Sequence, residues 1–427
     1  MATPATTYSV TTSSSDLKEV WRKVQYGIVV AAQFGVEEWQ WLQKAKKFDV
    51  NWSAREITME LDLSDDYGTA MIPEGGKEAR PSSPTAATAT LTWVFANKRF
   101  TISKTAQYIQ QQQGTKGQLE SQLKFQAKKA LQGIRRKIGD QFYGFSTGII
   151  AKVSSVSTDD IVLKDMYGVS GLGAIGDDVA CPDKFRAGDV VACLNPTGPA
   201  IRANPMVTID SITRATNIIT GTAVSDVTSL TANDYIVFAN NLENTTMAGG
   251  TEYGLNLIGL LDGCTTASVH SYSSATNARW AVGYSNTSGG RMTGIKLRKM
   301  KQGIENNGGG TLTDVIWSNG VENDVVAQLQ AGLRFSDAYA MEMDGAPKSK
   351  GITFHTSRRV PDGYVFGFDK SNSVNKMVLL PEPNAPAFDD GDKLQDNSGM
   401  VFSLDYPCAM IYTNRGNLGY LSGVTEQ

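Results

Sequence analysis

The residues best suited to chemistry lie in the stretch 351–372, GITFHTSRRVPDGYVFGFDKSN, which holds one of the two histidines of the chain. His355 is followed by hydroxyl side chains and by Asp362, the residue types of a general base and an acid that orients it. The tripeptide PDG, however, separates two runs rich in β-branched and aromatic residues, a pattern typical of a turn. We therefore predict a hairpin with His355 inside a strand, and we expect Arg358 and Arg359 to pair with carboxylates of a neighbouring chain.

A second candidate is the serine of GFSTG at Gly144 to Gly148, which has the spelling of a nucleophile elbow. An elbow joins a strand to a helix, whereas this pentapeptide follows a predicted helix and enters a predicted strand. A triad built on Ser146 would also need His270 or His355 as its base. We favour a helix C-terminal turn, and a serine hydrolase is the least supported function.

Neither a cofactor site nor a metal site is predicted. GLGAIG at 171–176 matches the glycine pattern of a dinucleotide site, but the residues after it, DDVACPDKF, do not begin a helix that could meet a phosphate. We predict a loop there. The four cysteines include no CxxC pair, and two histidines cannot complete a zinc spacing, so we expect buried thiols in a reducing compartment.

The composition argues against a dedicated nucleic-acid binder and against a membrane protein. The 427 residues carry a net charge of −3, without the basic excess that nucleic acids attract. The start of the sequence lacks the runs of a signal peptide, and apolar runs fall short of the roughly 18 residues of a membrane helix. We expect a protein made and folded in a cytoplasm.

The first hundred residues predict an arm followed by a hairpin. Asp16 and Glu19 form a capping box that begins a helix near residue 16. Apolar residues alternate over 55–63 and again over 89–100, which predicts two long strands joined by an irregular tip. An isolated hairpin has too little to bury. We expect another subunit to cover its apolar face, the chain's own body being the alternative.

The segment from 115 to 142 predicts one long helix, because apolar residues recur along one side at helical spacing. Its other side carries the cations Lys124, Lys128, Arg135 and Arg136. A solvated face and a phosphate-binding face both remain open for these residues. A second basic helix is predicted from Ser288 to Asn306, with Arg298 and Lys299 among its cations and NNGGG as its end.

Two further regions are rich in β-strand patterns. Residues 149–242 hold six short runs between turn residues, which predicts a small barrel or sandwich. Beyond residue 310 the sequence predicts a strand in TLTDVIW, a helix capped by Ser318 or Asn319, strands on both sides of RRVPDG and a strand in VNKMVLLPEP. The residues from 399 onward predict a closing strand pair.

In this order, the elements resemble the major capsid protein of tailed bacteriophages, the Hong Kong phage type of fold. The resemblance spans essentially the whole chain but includes no short diagnostic motif. It implies an α+β fold with an N-terminal arm (1–52), an extended hairpin loop (53–102), a spine helix of the peripheral domain (103–147), an inserted β-barrel or sandwich domain (149–246), a return of the peripheral domain with a second helix (247–310), an axial α/β domain (311–398) and closing strands of the peripheral domain (399–427).

The resemblance implies a structural protein and no catalytic residues. Copies would form pentamers and hexamers of an icosahedral shell around double-stranded DNA, assembled in the host cytoplasm with a scaffolding protein, a portal and, as a further candidate, a decoration protein. Candidates for contact between subunits are Lys77, Arg80, Trp93, Arg358, Arg359 and Asp362. Candidates for non-specific contact with packaged DNA are Lys124, Lys128, Arg135, Arg136, Arg298 and Lys299. The main alternative is another virion component, such as a tail or adhesion protein.

Overall fold

The structure is a computed structural model of the 427-residue chain. It describes residues 51–53, 56–63, 71–74, 76–78, 86–92, 94–103, 116–157, 159–169, 184–197, 201–223, 230–239, 253–332, 351–369, 377–380, 387–388, 392–393 and 399–425. Within these residues one compact unit takes those of Trp93–Gly139 and Leu379–Cys408, and a second takes those of Lys44–Thr92, Asp140–Val378 and Ala409–Gln427. The predicted arm up to residue 50 and the GLGAIG segment lie outside the described residues.

A long helix, α1, spans Lys116–Gln141, close to its predicted range. Its side chains at Ala127, Leu131, Ile134 and Ile138 are buried, as their helical spacing predicts. The helix gives way to a turn at Gly144, whose amide donates to the carbonyl of Gln141 at 3.1 Å.

The N-terminal strands form a three-stranded antiparallel sheet of β1 (Asn51–Ser53), β2 (Glu56–Asp62) and β3 (Ala86–Thr92). The pairing of β2 with β3 confirms a hairpin, but the prediction that its second strand continues to residue 100 is wrong. A new strand, β4, spans Val94–Ser103 and pairs with a different partner. The buried face also changes, since Leu91 is 6% exposed and Phe95 is 64% exposed. The alternation of apolar residues does not by itself reveal that one alternating segment contains two strands, each paired with a different strand.

The apolar face of this sheet is covered within the chain itself at the positions that the structure describes. Leu61, Leu63, Ala89 and Leu91 are buried in the single chain. The hydroxyl of Tyr272 also donates to the carbonyl of Thr88 on β3 at 3.0 Å. At these positions the expectation that another subunit covers the face is wrong, and the chain's own body covers it.

The partner of β4 is the long strand β20, Gly399–Tyr412, with Val94 opposite Cys408 and Ser103 opposite Gly399. Three short strands also pair with β20: β17 (Met377–Leu380), β18 (Ala387–Phe388) and β19 (Asp392–Lys393). The strand predicted in VNKMVLLPEP therefore exists as β17, and it pairs with β20.

A closed six-stranded barrel fills the region between 151 and 238, which confirms the predicted β module and selects a barrel over a sandwich. Each of the six predicted runs overlaps one strand. The strands are β5 (Ala151–Ser157), β6 (Asp160–Lys164), β7 (Val190–Leu194), β8 (Ile201–Thr213), β9 (Ile218–Ala223) and β10 (Tyr235–Phe238). Closure comes from β10, which pairs with both β5 and β7. Val153, Ile161, Ile209 and Ile236 are fully buried in this module.

Short elements follow the barrel: helix α2 (Leu260–Thr265), strands β11 (Ser268–Val269) and β12 (Tyr272–Ser273), strand β13 (Tyr284–Asn286) and helix α3 (Gly294–Gly308). The predicted start of α3 at Ser288 is wrong. Gly289 and Gly290 have φ of 64° and 77°, which no right-handed helix contains. Thr293 caps the helix instead, its hydroxyl accepting from the amide of Lys296 at 3.4 Å.

The last part of the chain contributes a five-stranded sheet in the order β13, β21, β16, β14, β15. Its remaining strands are β14 (Asp314–Trp317), β15 (Thr353–Thr356), β16 (Val365–Phe368) and β21 (Leu418–Leu421). The predicted hairpin at 351–372 is wrong, because β14 lies between β15 and β16, parallel to the first and antiparallel to the second. The predicted turn is present, with the amide of Tyr364 donating to the carbonyl of Pro361 at 3.1 Å.

Helix α4, Asn319–Gly332, connects β14 toward β15 and begins at the predicted cap, with Ser318 Oγ accepting from the amide of Val321 at 3.4 Å. The predicted closing strand pair is wrong, because β20 and β21 belong to different sheets; the turn Arg415–Asn417 lies between them in the chain. Along the described parts of the chain, none of the helices is both long and apolar enough to cross a membrane.

Candidate interaction surfaces and a buried junction

An exposed turn carries Lys77, the first predicted contact residue. The amide of Gly76 donates to the carbonyl of Pro73 at 2.8 Å, which closes the turn. Met71, Ile72 and Lys77 all lie at the surface there. This exposed turn combines apolar side chains with charged side chains of both signs, a surface of the kind that other proteins bind. Arg80 and Trp93 lie outside the described residues.

The loop between β15 and β16 holds the other predicted contact residues. Arg358 is exposed and Asp362 is half-buried. Arg359 Nε lies 3.2 Å from Asp140 Oδ1, at the end of α1. Its own chain therefore supplies one carboxylate to Arg359, and the contact of Arg359 with a neighbouring chain stays a prediction.

His355 lies in β15, as predicted, and packs against the neighbouring strand. Its Nε2 is 2.8 Å from Asp314 Oδ1, and Asp314 is 4% exposed. The other carboxylate oxygen of Asp314 accepts from the hydroxyl of Thr313 at 2.7 Å. Burial of a carboxylate is tolerated when such partners satisfy it. The arrangement fixes β15 to β14 and explains the histidine without catalysis.

Ser146 lies in a turn between α1 and β5, the reverse of the elbow order. Its backbone amide donates to Asp262 Oδ2 at 3.0 Å, and the other oxygen of Asp262 accepts from the hydroxyl of Thr266 at 2.6 Å. The remaining histidine, His270, accepts from the amide of Tyr412 at 3.1 Å. Both histidines and the carboxylate of Asp262 therefore have structural partners. Within the described part of the chain, no three His, Cys, Asp or Glu side chains cluster as metal ligands.

The predicted DNA-facing cations divide into exposed and half-buried residues. Lys128, Arg298 and Lys299 are exposed, whereas Arg135 and Arg136 are half-buried. Burial lowers the pKa of Arg135 below its ordinary value. The side chain of Lys124 lies outside the described residues. Exposed cations are better suited to sequence-independent contact with DNA, because they can reach its phosphate groups without a rearrangement of the protein.

A buried polar junction centred on Arg415 was missed by the sequence analysis. Arg415 is 1% exposed, and its guanidinium donates to the carbonyls of Gly263, Thr266 and Ala267 at 2.8, 2.6 and 3.4 Å. These carbonyls lie at the C-terminal end of α2, where free carbonyl groups and a negative dipole favour a cation. Burial lowers the pKa of Arg415 below its ordinary value.

Tyr412 extends the junction toward the end of α1. Its hydroxyl donates to the carbonyls of Gly259 and Ile258 at 2.7 and 3.1 Å, and burial raises its pKa. The amides of Leu260 and Leu261 donate in turn to the carbonyls of Phe142 and Tyr143 at 2.8 and 3.3 Å, just beyond α1. The residues TNRG around Arg415 carry no sequence signal of this role, because its partners are main-chain carbonyls distant in sequence.

Three of the four cysteines are described, and all three are buried free thiols, as predicted: Cys193, Cys264 and Cys408. Burial raises the pKa of each to about 12. A thiol with so high a pKa carries almost no thiolate at neutral pH and is a poor nucleophile. Cys181 lies outside the described residues.

No family model matches this sequence, and no curated protein is similar to it at a significant level. Solved structures do match. The capsid asymmetric unit of cyanophage A-1(L) is similar with a TM-score of 0.51 and 11% identity, over 92% of this chain and 94% of that one. The capsid of a native GTA particle has a TM-score of 0.45 and 10% identity over 92% of both chains. A structure of Mycobacterium phage Adephagia has a TM-score of 0.37 and 12% identity, over 91% of this chain and 90% of that one. The chain therefore has the fold of a phage capsid protein.

Proposed function

We propose that this protein is the major capsid protein of a tailed phage, and that its copies assemble as pentamers and hexamers into an icosahedral shell around double-stranded DNA. The observation that carries the proposal is the likeness to the cyanophage capsid subunit over 92% of this chain at a TM-score of 0.51. A likeness that spans both chains almost end to end favours a shared role more strongly than one confined to a single domain.

In this proposal α1 is the spine helix, the hairpin of β2 and β3 is the extended loop, the sheet around β14 is the axial domain, and the barrel is an inserted accessory domain. The residue bounds expected for these domains are part of the proposal. The turn with Met71, Ile72 and Lys77 supports the role of the loop, because exposed apolar side chains suit an interface. Arg358 is a second contact candidate, since it is exposed beside the turn after β15.

Contacts with the other virion components follow from the same role. A separate scaffolding protein and a portal would take part in assembly in the host cytoplasm, and a decoration protein would bind the finished shell. Exposed Lys128, Arg298 and Lys299 are the candidates for contact with packaged DNA. A net charge of −3 keeps such contact local and sensitive to salt.

The first experiment is to express the chain alone and to measure particle size by sedimentation velocity and negative-stain imaging. Closed shells, tubes, or rings of five or six subunits are the expected products. A chain that remains monomeric or dimeric at high concentration, with or without a scaffolding protein from the same genome, would contradict the proposal.

A deletion tests the loop. Removal of residues 66–84, with a short Gly–Ser linker in their place, leaves β2 and β3 intact and should preserve the fold of the subunit. Shell formation should be impaired, because the protruding turn is lost. Lys77→Ala is the milder companion variant. Particles of normal yield and thermal stability from the deletion variant would show that the hairpin is not an intersubunit loop.

A further inference from the structure

The chain enters and leaves the barrel at adjacent points. The amides of Gly254 and Asn256, after the barrel, donate to the carbonyls of Thr147 and Ser146, before it, at 3.0 and 3.4 Å. We call residues 146–147 and 254–256 the stalk. Two connecting segments that run side by side resist separation, but they leave the attached module free to swing about their common line. A fixed orientation needs another contact outside the stalk.

Lys184 provides a contact of this kind. It precedes β7 in the barrel and is 3% exposed. Its ammonium lies 3.3 Å from Asp140 Oδ1, donates to the carbonyl of Arg359 at 3.3 Å, and sits 5.0 Å from the centre of the Tyr167 ring. A buried lysine is costly unless its charge is compensated. Here a carboxylate, a carbonyl and an aromatic face compensate it.

The partners of Lys184 bind one another as well. Arg359 Nε lies 3.2 Å from the same oxygen of Asp140, and the hydroxyl of Tyr167 donates to the carbonyl of Arg359 at 3.2 Å. We call Tyr167, Lys184, Asp140 and Arg359 the lysine latch. Tyr167 and Lys184 belong to the barrel. Asp140 lies at the end of α1, and Arg359 lies in the loop between β15 and β16. The latch therefore joins three segments that are far apart in sequence.

Two members of the latch are placed against their local preference. Asp140 lies in the last turn of α1, where the helix dipole disfavours a carboxylate. Tyr167 has a φ of 55°, a left-handed conformation that non-glycine residues rarely adopt. Its ring also packs over Gly144, where an added Cβ would lie 3.0 Å from the ring. Such local costs persist only where the surrounding contacts offset them.

We propose that the lysine latch fixes the orientation of the barrel on the segments that flank its stalk, with Lys184 as the positioning residue. The barrel is then a rigid part of the subunit rather than a swinging appendage. In an assembled shell every copy would present its barrel at the same angle, which would give any partner that binds two neighbouring barrels a defined spacing. The latch itself is a property of the single chain and does not depend on the proposed capsid function.

The test is hydrogen–deuterium exchange of the full chain with Lys184→Met, which keeps the length of the side chain and removes its charge. Amides of the stalk peptide around 253–257 should exchange about tenfold faster or more, as expected for the loss of a charge-assisted hydrogen bond. Amides inside the barrel, such as Ile209, should keep their protection. Arg186→Ala is the matched control, because Arg186 is an exposed cation in the same loop.

Three outcomes decide the matter. Faster exchange confined to the stalk and to the loop 357–362 supports the latch. Exchange equal to that of the Arg186→Ala control overturns it. Faster exchange throughout the barrel also overturns it, because Lys184 would then support the folding of the barrel and not its placement. If Lys184→Met does not fold, Asp140→Asn and Tyr167→Phe replace it and should give the same pattern with smaller increases.

Discussion

The barrel and the five-stranded sheet around β14 differ in how far apart in sequence their strands lie. The barrel takes all six strands from the consecutive stretch Ala151 to Phe238. The sheet takes its strands from segments as distant as Tyr284 and Leu421. The barrel therefore needs local turns and an apolar interior, whereas the sheet needs contacts that hold distant segments of the chain in place. The Arg415 junction supplies such contacts, because Arg415 lies shortly before β21.

The largest effect is expected at Arg415. Arg415→Met removes the donors to three carbonyls, each of which costs about 1–3 kcal/mol when left unsatisfied, so the free energy of unfolding should fall by at least about 3 kcal/mol. Exchange protection should be lost in the five-stranded sheet and retained in the barrel. Arg298→Met, at an exposed arginine, is the control. Equal losses in both regions would contradict the comparison.

The next largest effect is a pH dependence at His270. Burial, together with the nearby charge of Arg415, lowers the pKa of His270 from 6.5 to about 4. Below about pH 6.5 His270 is therefore protonated in the unfolded chain but still neutral in the folded chain. The free energy of unfolding falls as the pH drops through this range. The loss is complete below the folded pKa of about 4 and amounts to about 3 kcal/mol.

Urea unfolding at pH 7 and pH 4 measures this dependence, with His270→Asn as the reference variant. Asn does not titrate in this range, and it tolerates the left-handed backbone at this position, where φ is 54°. The difference between the two proteins isolates the contribution of His270 to the pH dependence of stability from the contributions of all other titrating groups. If the free energies of unfolding of the two proteins change equally between pH 7 and pH 4, His270 does not cause the pH dependence.

A smaller effect is expected inside the barrel. Ile161→Val removes one methylene from a fully buried side chain of β6 and should cost about 0.5–1.5 kcal/mol. Because the barrel closes on itself, the change should speed exchange among its own strands and leave the five-stranded sheet unaffected. An equal change in the sheet and in the barrel would show that the two regions unfold as one unit.

The smallest effect is expected at an exposed ion pair. Lys301 Nζ lies 3.8 Å from Glu305 Oε1 on α3, with the two side chains 39% and 41% exposed. Lys301→Ala should cost no more than about 0.5 kcal/mol, since solvent screens such pairs. Thermal unfolding in low and high salt checks this value. A loss comparable to that of Arg415→Met would undermine the distinction between exposed charges and the buried junction.

The elements that the sequence predicted well are those that depend on neighbouring residues. Helix α1 and the six barrel strands follow from periodic apolar positions and intervening turns, and the resemblance to phage capsid proteins that rests on their order is confirmed at the level of the fold. The predicted hairpin at 351–372 failed for a different reason. Its strands and turn are present, but no local pattern indicates that β14, some forty residues earlier, lies between them.

The sequence by itself determined where α1 and the barrel strands form, because dihedral preferences and apolar periodicity act over a few residues. It also determined that the thiols are spread too far apart for a zinc spacing. Only the tertiary structure decided which strands pair, which carboxylate Arg359 meets, and that Arg415 and Lys184 are buried. Those outcomes depend on contacts between residues distant in the chain, where main-chain carbonyls act as partners and carry no signature in the side-chain sequence.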